Sequence, residues 1–319
     1  MESNNVEWEI IHPSEEYTED LARFNTEMAW ETEGKKLIKE TITSGCRNLI
    51  LQPKFGSFFT AIQDKKAIGN LLTTYEYNVA LYKPIYWIQS VFVEKSHRGK
   101  GVFKSLFNKA INEARSKKIY SVKLYVEKTN EKAKEVYQKL GMSNNDQEIY
   151  EMDFGFGDHK FILPDGLINE SFKANKLIQG DLSELSKLKT KHLLGTVNAD
   201  ELIIDAFDFL LKNEVSGDVV VIREGDKIVG VVSAFTEWSD WRDKVMYWVY
   251  DIKISNEISQ EKYPEYLKIF LKMAYDQLGG DSMGAYRVNF KDGSSQAKQA
   301  MLEIGLEESH YYVYEIKTS

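Results

Sequence analysis

The chain holds one cysteine, Cys46, in 319 residues. A lone cysteine excludes an intramolecular disulfide and any zinc cage built from thiolates. The five histidines, at 12, 97, 159, 192 and 310, form no H-x-x-x-H pair, so no metal is expected. There are only 5 prolines and 20 glycines, which excludes a collagen-like or linker-dominated chain. No run of about 18 apolar residues occurs, so no membrane span is expected. Met1-Glu2-Ser3-Asn4-Asn5 has neither the basic nor the apolar region of a secretory signal. With so little cysteine, the expected compartment is the reducing cytoplasm. The formal charge is −8, so the broad basic face that nucleic acid requires is not expected. An acidic balance weakly favours a cationic acceptor and is more commonly a matter of solubility.

What is present is the material of a globular protein. Hydrophobic residues make up 43% and charged ones 28%, over a length that fits about two domains. The chain also repeats itself. Ala67-Ile68-Gly69 falls on Ile228-Val229-Gly230, and Tyr86-Trp87-Ile88 on Tyr247-Trp248-Val249, both at an offset of 161. Further on the offset is 164: Leu140-Gly141-Met142 falls on Ile304-Gly305-Leu306, and Ile149–Met152 on Val313–Ile316. Each half reads as strand, two helices, three strands, helix, strand, helix, strand. That order predicts a mixed α/β fold, α+β-like, in two domains. The boundary is expected in the Gly-rich run Phe154–His159, giving domains 1–155 and 156–319. Predicted helices include Thr32–Ser44 in the first half, and Leu182–His192 and Ala199–Asn213 in the second.

Two constellations in the first half carry chemistry. The apolar strand Ile85–Val93 runs into Arg98-Gly99-Lys100-Gly101-Val102-Phe103 and then an amphipathic helix. Glycines at a strand-to-helix turn let main-chain N–H groups converge, and the helix N-terminus adds partial positive charge. The design is that of a phosphate cradle. Taken alone, the loop reads equally as a solvated turn. Downstream, Asn130, Ala133 and Tyr137 share a helix face, with Asn130 placed as an N-cap and Gly141 as a C′ glycine. From spacing alone Tyr137 is as readily a half-buried core tyrosine.

Together the two constellations resemble the GCN5-related N-acetyltransferases. Arg98–Phe103 matches that family's Q/R-x-x-G-x-G/A loop up to its last position, where Phe103 replaces a small residue. Asn130, Ala133, Tyr137 and Gly141 match N-x-x-A-x-x-x-Y-x-x-x-G-F, with Met142 replacing the final Phe. The resemblance implies acetyl-CoA as cosubstrate. It implies that main-chain groups of Val91, Phe92 and Val93 hold the pantetheine arm. It also implies that Arg98, Gly99, Lys100, Gly101, Val102 and Phe103 hold the pyrophosphate, and that Asn130 contacts the pantetheine or orders the site. Tyr137 would protonate the departing thiolate, and a bulge in the strand ending at Val93 would polarise the thioester. The general base is sought among Glu31, Glu33 and Glu76, with Glu33 and Glu76 named alongside Tyr137 as catalytic, and a water chain as the alternative. Cys46 is expected to be a small buried hydrophobe.

The second half keeps the scaffold without the loop. No glycine lies between Ser255 and Leu278, and Met301 stands at the Tyr137 position. It resembles a degenerate copy. Its segment Glu237–Asp243 either packs tryptophans between the halves or holds a cationic acceptor. The expected protein is an N-acetyltransferase acting on the primary amine of a small molecule. A CoA-binding sensor or interaction protein, or an acetyltransferase of protein N-termini or lysines, are the alternatives. No nucleic-acid or membrane partner is expected, and a homodimer is left open.

Overall fold

A computed structural model describes residues 8–156, 160–196, 199–213, 216–291 and 293–318. Gly157, Asp158 and His159, part of the expected boundary, lie outside the described residues. The first half runs β1 (Glu9–Ile11), α1 (Thr18–Glu33), α2 (Lys39–Leu51), β2 (Gly56–Gln63), β3 (Lys66–Asn78), β4 (Lys83–Val93), α3 (Val102–Ser116), β5 (Ser121–Glu127), α4 (Glu131–Lys139), β6 (Ser143–Asn144) and β7 (Glu148–Asp153). The second half runs β8 (Phe172–Lys176), α5 (Leu182–Leu185), β9 (Thr190–Gly195), α6 (Ile204–Lys212), β10 (Asp218–Glu224), β11 (Lys227–Ser239), β12 (Lys244–Ser255), α7 (Tyr263–Leu278), β13 (Ala285–Phe290), α8 (Ser295–Glu303), β14 (Glu307–Glu308) and β15 (Tyr311–Lys317).

The strands form two mixed sheets that exchange their last long strands. The first has the order β1-β2-β3-β4-β5-β15-β6, the second β14-β7-β13-β12-β11-β10-β8 with β9 also on β12. Thus β15 pairs antiparallel with β5, Tyr314 opposite Leu124, and β7 pairs with β13, Tyr150 opposite Val288. Each sheet takes a strand from across the 155/156 division. The alternating strands bury apolar side chains on both faces, and three of the resulting cores are large. One lies under α3, with Leu106, Ala110 and Val122. One lies under α7, with Phe270, Ile252 and Val288. The third lies between the sheets, where Trp87, Phe235, Trp248 and Val313 meet.

Three helix expectations are corrected. The second helix is Lys39–Leu51, so it passes through Gly45 and Cys46 instead of ending at Ser44. A β-carbon on Gly45 would lie 2.1 Å from the Asp240 carbonyl oxygen, so the glycine is there for close packing. Leu182–His192 is one short turn, Leu182–Leu185, followed by β9, because β12 offers 190–195 an unpaired edge. Ala199–Asn213 shortens to Ile204–Lys212. Cys46 is buried in the core with Leu21, Ile42 and Leu49, and burial raises its thiol well above the ordinary value. No described helix is long and apolar enough to cross a membrane.

Candidate active site

Strands β4 and β5 run parallel, from Ile85 opposite Ser121 to Ile88 opposite Leu124, and then the ladder stops. Beyond that point β4 pairs on its other side only, with Val91 opposite Leu71 and Val93 opposite Gly69. The strands splay into a wedge. At its apex β4 carries a bulge: Ser90 opposes Leu72 and Ile88 opposes Thr73, so Gln89 is the extra residue. A bulge frees main-chain polar groups from the ladder and turns them toward the wedge.

The loop stands at the mouth of the wedge. Gly99 (φ 77°) and Gly101 (φ 98°) are left-handed, and the space where the Gly99 β-carbon would stand is open. Gly101 caps α3 without a side chain, leaving first-turn amides for an anion. Arg98 is already engaged: Nε donates to the Val93 carbonyl at 2.8 Å and Nη2 to Glu31 at 2.8 Å, with Lys95 also 3.1 Å from Glu31. These cations hold the Glu31 carboxyl below its usual range, against the opposing effect of burial. Phe103 packs its ring against Phe107 (6.0 Å) and edge-on to Tyr137 (6.1 Å), so it steadies the tyrosine.

A cavity of about 240 Å³ opens at the apex, lined by Gln89, Ser90, Val91, Asn130 and Tyr137 of the first half. Asn130 caps α4 through Oδ1, accepting the Ala133 N–H at 3.0 Å. Desolvation alone pushes the Tyr137 hydroxyl up to about 12. Glu33, at the end of α1, also lines the cavity; it accepts the Tyr311 hydroxyl at 3.0 Å and lies 2.7 Å from Lys35. The structure does not bring Glu76 to this wall. Its buried carboxylate accepts Asn78 Nδ2 at 2.8 Å and Trp87 Nε1 at 2.7 Å, with Lys123 3.6 Å away, so it is committed to partners in the core.

The other wall comes from beyond β6. It includes Glu151 and Asp153 of the exchanged β7, Glu237–Arg242 of the β11–β12 hairpin, and Arg287. The sequence reading singled out Glu237–Asp243 but not Glu151, Asp153 or Arg287; the repeat offset places Arg287 on Lys123 as it places Glu237 on Glu76. The hairpin meets the packing reading given for it. Trp238 and Trp241 dock on the first half, their indole N–H groups donating to the Gly45 carbonyl and to Asn25 Oδ1, each at 3.2 Å. Its polar residues face the cavity.

The equivalent wedge of the second half is filled from within. The bulge recurs at Tyr250, and β9 then lies along β12, with Asp251 opposite Gly195 and Ser255 opposite Thr190. A β-carbon on Gly195 would come within 2.9 Å of the Tyr250 carbonyl oxygen, so only glycine lets β9 reach the apex. On the far side, the Lys291 N–H donates to the Gly195 carbonyl at 2.7 Å. Helix α7 begins with Pro264 near its start and no left-handed glycine.

Residues 14–142 match the family model described as Acetyltransferase (GNAT) family. The chain is similar to a possible acetyltransferase of Clostridium difficile 630, at 32% identity over 49% of this chain and 99% of that one, with a TM-score of 0.42. Along nearly its whole length it is similar in fold to a tandem GNAT protein from the clavulanic acid biosynthesis pathway: 10% identity, 98% of this chain, 99% of that one, TM-score 0.56. A GCN5-related N-acetyltransferase from Sphaerobacter thermophilus is comparable, at 12% identity, 98% and 96% coverage and a TM-score of 0.54. No curated protein matches the chain. With the loop, the capped helix and the splayed strands in the family's order, the chain belongs to the GCN5-related N-acetyltransferase family, and its fold is the family's tandem form.

Proposed function

We propose that the protein moves the acetyl group of acetyl-CoA onto the primary amine of a small molecule, with both substrates bound together. The observation that carries this reading is one cavity that joins the β4 bulge, Tyr137 and Glu33 and is walled on its far side by the second half. A volume of about 240 Å³ suits a compact acceptor better than a peptide.

The residues present fit acetyl-CoA. The wedge beyond Ile88 suits a narrow arm lying along the Val91–Val93 main chain, and the loop Arg98–Phe103 with the α3 amides suits a pyrophosphate. Acetyl-CoA supplies an activated acyl group as its thioester. Tyr137 stays protonated at neutral pH and has its proton to give to the departing sulfur. Glu33, held by Tyr311 and Lys35, takes the proton from the acceptor ammonium, directly or through water. In this reading residues 1–155 carry the chemistry, and 156–319 complete the acceptor side without a cofactor of their own.

The test is CoA release from acetyl-CoA over a panel of small amines, with the acetylated product identified by mass. Tyr137→Phe is expected to lower kcat about a hundredfold while leaving CoA binding unchanged. Retained CoA binding with no release on any amine would replace the enzyme with a CoA sensor. Activity confined to peptide N-termini or lysines would move the acceptor to proteins.

A further inference from the structure

Most charges on the cavity wall are matched. Arg287 Nε donates to Glu151 at 2.7 Å, Arg242 Nε to Asp153 at 3.0 Å, and Lys35 lies 2.7 Å from Glu33. Among the described residues, two buried carboxyls on that wall have no ion pair: Glu237, 3% exposed, and Asp240, 5% exposed. Glu237 accepts the Trp248 indole N–H at 2.5 Å. Asp240 Oδ1 accepts the Trp241 main-chain N–H at 3.0 Å, and its Oδ2 has no hydrogen-bond partner among the described residues.

The first copy supplies an internal control. Glu76 occupies the position of Glu237 and is satisfied by Asn78, Trp87 and Lys123. In the second copy Ser239 replaces Asn78, and its hydroxyl instead receives Arg242 Nη1 at 3.0 Å. Arg287 replaces Lys123, but its guanidinium is taken by Glu151 and lies over the Trp248 ring at 4.6 Å. The duplicated acid keeps its tryptophan and has lost its other partners, and it is this copy that lines the cavity.

A buried carboxyl without a cation is destabilising, and a cation that enters beside it recovers that cost. We propose that Glu237 and Asp240 form a seat for a second cationic group of the acceptor, separate from the amine that is acylated, so that the acceptor class is a compact diamine or an amine bearing an amidine-like cation. This rests on the acetyl-transfer reading of the same cavity. Burial pushes both carboxyls up to about 7 against the pull of Arg287 on Glu237 and of Arg242 on both, so a further cation beside them favours their charged form at neutral pH.

The probes are putrescine, a short diamine, and butylamine, its monoamine counterpart, titrated by calorimetry into the full-length protein saturated with CoA. Putrescine is expected to bind about tenfold or more tighter. Glu237→Gln and Asp240→Asn, isosteric changes that can still accept an N–H, are each expected to weaken putrescine about tenfold and butylamine less than about twofold. A single cooperative melt no lower than that of the wild type and an unchanged CoA affinity certify the fold of the variants. Equal wild-type affinity for the two amines, or equal losses on both in the variants, overturns the seat. CoA release with the same amines separates the two readings. Tight putrescine binding without turnover refutes acetyl transfer and leaves the seat. Turnover of both amines with equal kcat/KM refutes the seat and leaves acetyl transfer.

Discussion

Arg98 has its charge already in use, since Glu31 lies 2.8 Å from it and Lys95 3.1 Å from the same carboxylate. In the proposed reading a pyrophosphate competes with that carboxylate. The pair is substantially solvated, so the competition is worth no more than about 1 kcal/mol. Glu31→Gln is therefore expected to tighten CoA binding about two- to fivefold at low ionic strength, with the gain fading as salt rises. Calorimetry at two salt concentrations checks it, and weaker binding in the variant would show that Glu31 orders the loop. Glu237 and Asp240 make a second prediction. Both titrate at about 7 in the folded chain, above the ordinary carboxyl values of 4.5 and 3.8. The folded state therefore holds more protons than the unfolded state from about pH 4 to 7. Stability from these groups is full below about pH 4 and is lost as pH rises through about 7. The loss is on the order of 3 kcal/mol per group, read as a lower melting temperature at pH 8 than at pH 5 in the absence of ligand. Glu237→Gln and Asp240→Asn should each reduce that drop. At this scale the loop and the Asn130–Tyr137 face were legible, because their spacing within one turn or helix survives folding. Glu237 and Asp240 were legible only as part of the Glu237–Asp243 segment, and Glu151 and Arg287 were not legible, because they converge only across two sheets. Glu76 misled because a strand buried on both faces gives no sign of which side faces a cavity.

Helix α2 and strand β9 show how tertiary contacts overrule local signals. Gly45 weakens a helix and so reads as its end. It persists inside α2 because the Asp240 main chain rests on it, which fixes the hairpin that carries the proposed seat. Gly45→Ala is expected to cost about 1–3 kcal/mol despite a better helix propensity, and to weaken acceptor binding more than CoA binding. Denaturant melts and the two calorimetric titrations check this, and a stabilised variant would mean the hairpin moves aside freely. The apolar spacing of residues 182–192 suits a helix, yet the open edge of β12 draws 190–195 into a strand. That strand occupies the place where a second pantetheine arm would lie. The chain is thus expected to bind a single CoA. A second equivalent in calorimetry would require β9 to leave the wedge.

The duplication itself was readable from offsets of 161 and 164, but the exchange of strands was not, for a physical reason. β7 reads Glu148-Ile149-Tyr150-Glu151-Met152 and β15 reads Tyr312-Val313-Tyr314-Glu315-Ile316, the same pattern of buried and polar faces. Either strand would satisfy either sheet, so no local pattern distinguishes a strand kept from a strand exchanged. Geometry decides. β15 crosses to β5 and brings Tyr311 to Glu33, while β7 crosses to β13 and sets Glu151 beside Arg287. The halves also share the core around Trp87, Trp248 and Val313, and Tyr250 spans them, its hydroxyl accepting the Val79 N–H at 2.9 Å. The wedge of the first half and its far wall therefore form as one cooperative unit. Residues 1–155 and 156–319, produced as separate fragments, each lack an interior strand of their own sheet and expose the matching edges. Each alone is expected to be unfolded or aggregated and unable to bind CoA. Refolded together, they should form an equimolar complex that regains CoA binding and melts in a single transition. Independent folding of the first fragment with full CoA affinity would show that a sheet can close on its own strand, and that the exchange is dispensable for the cofactor site.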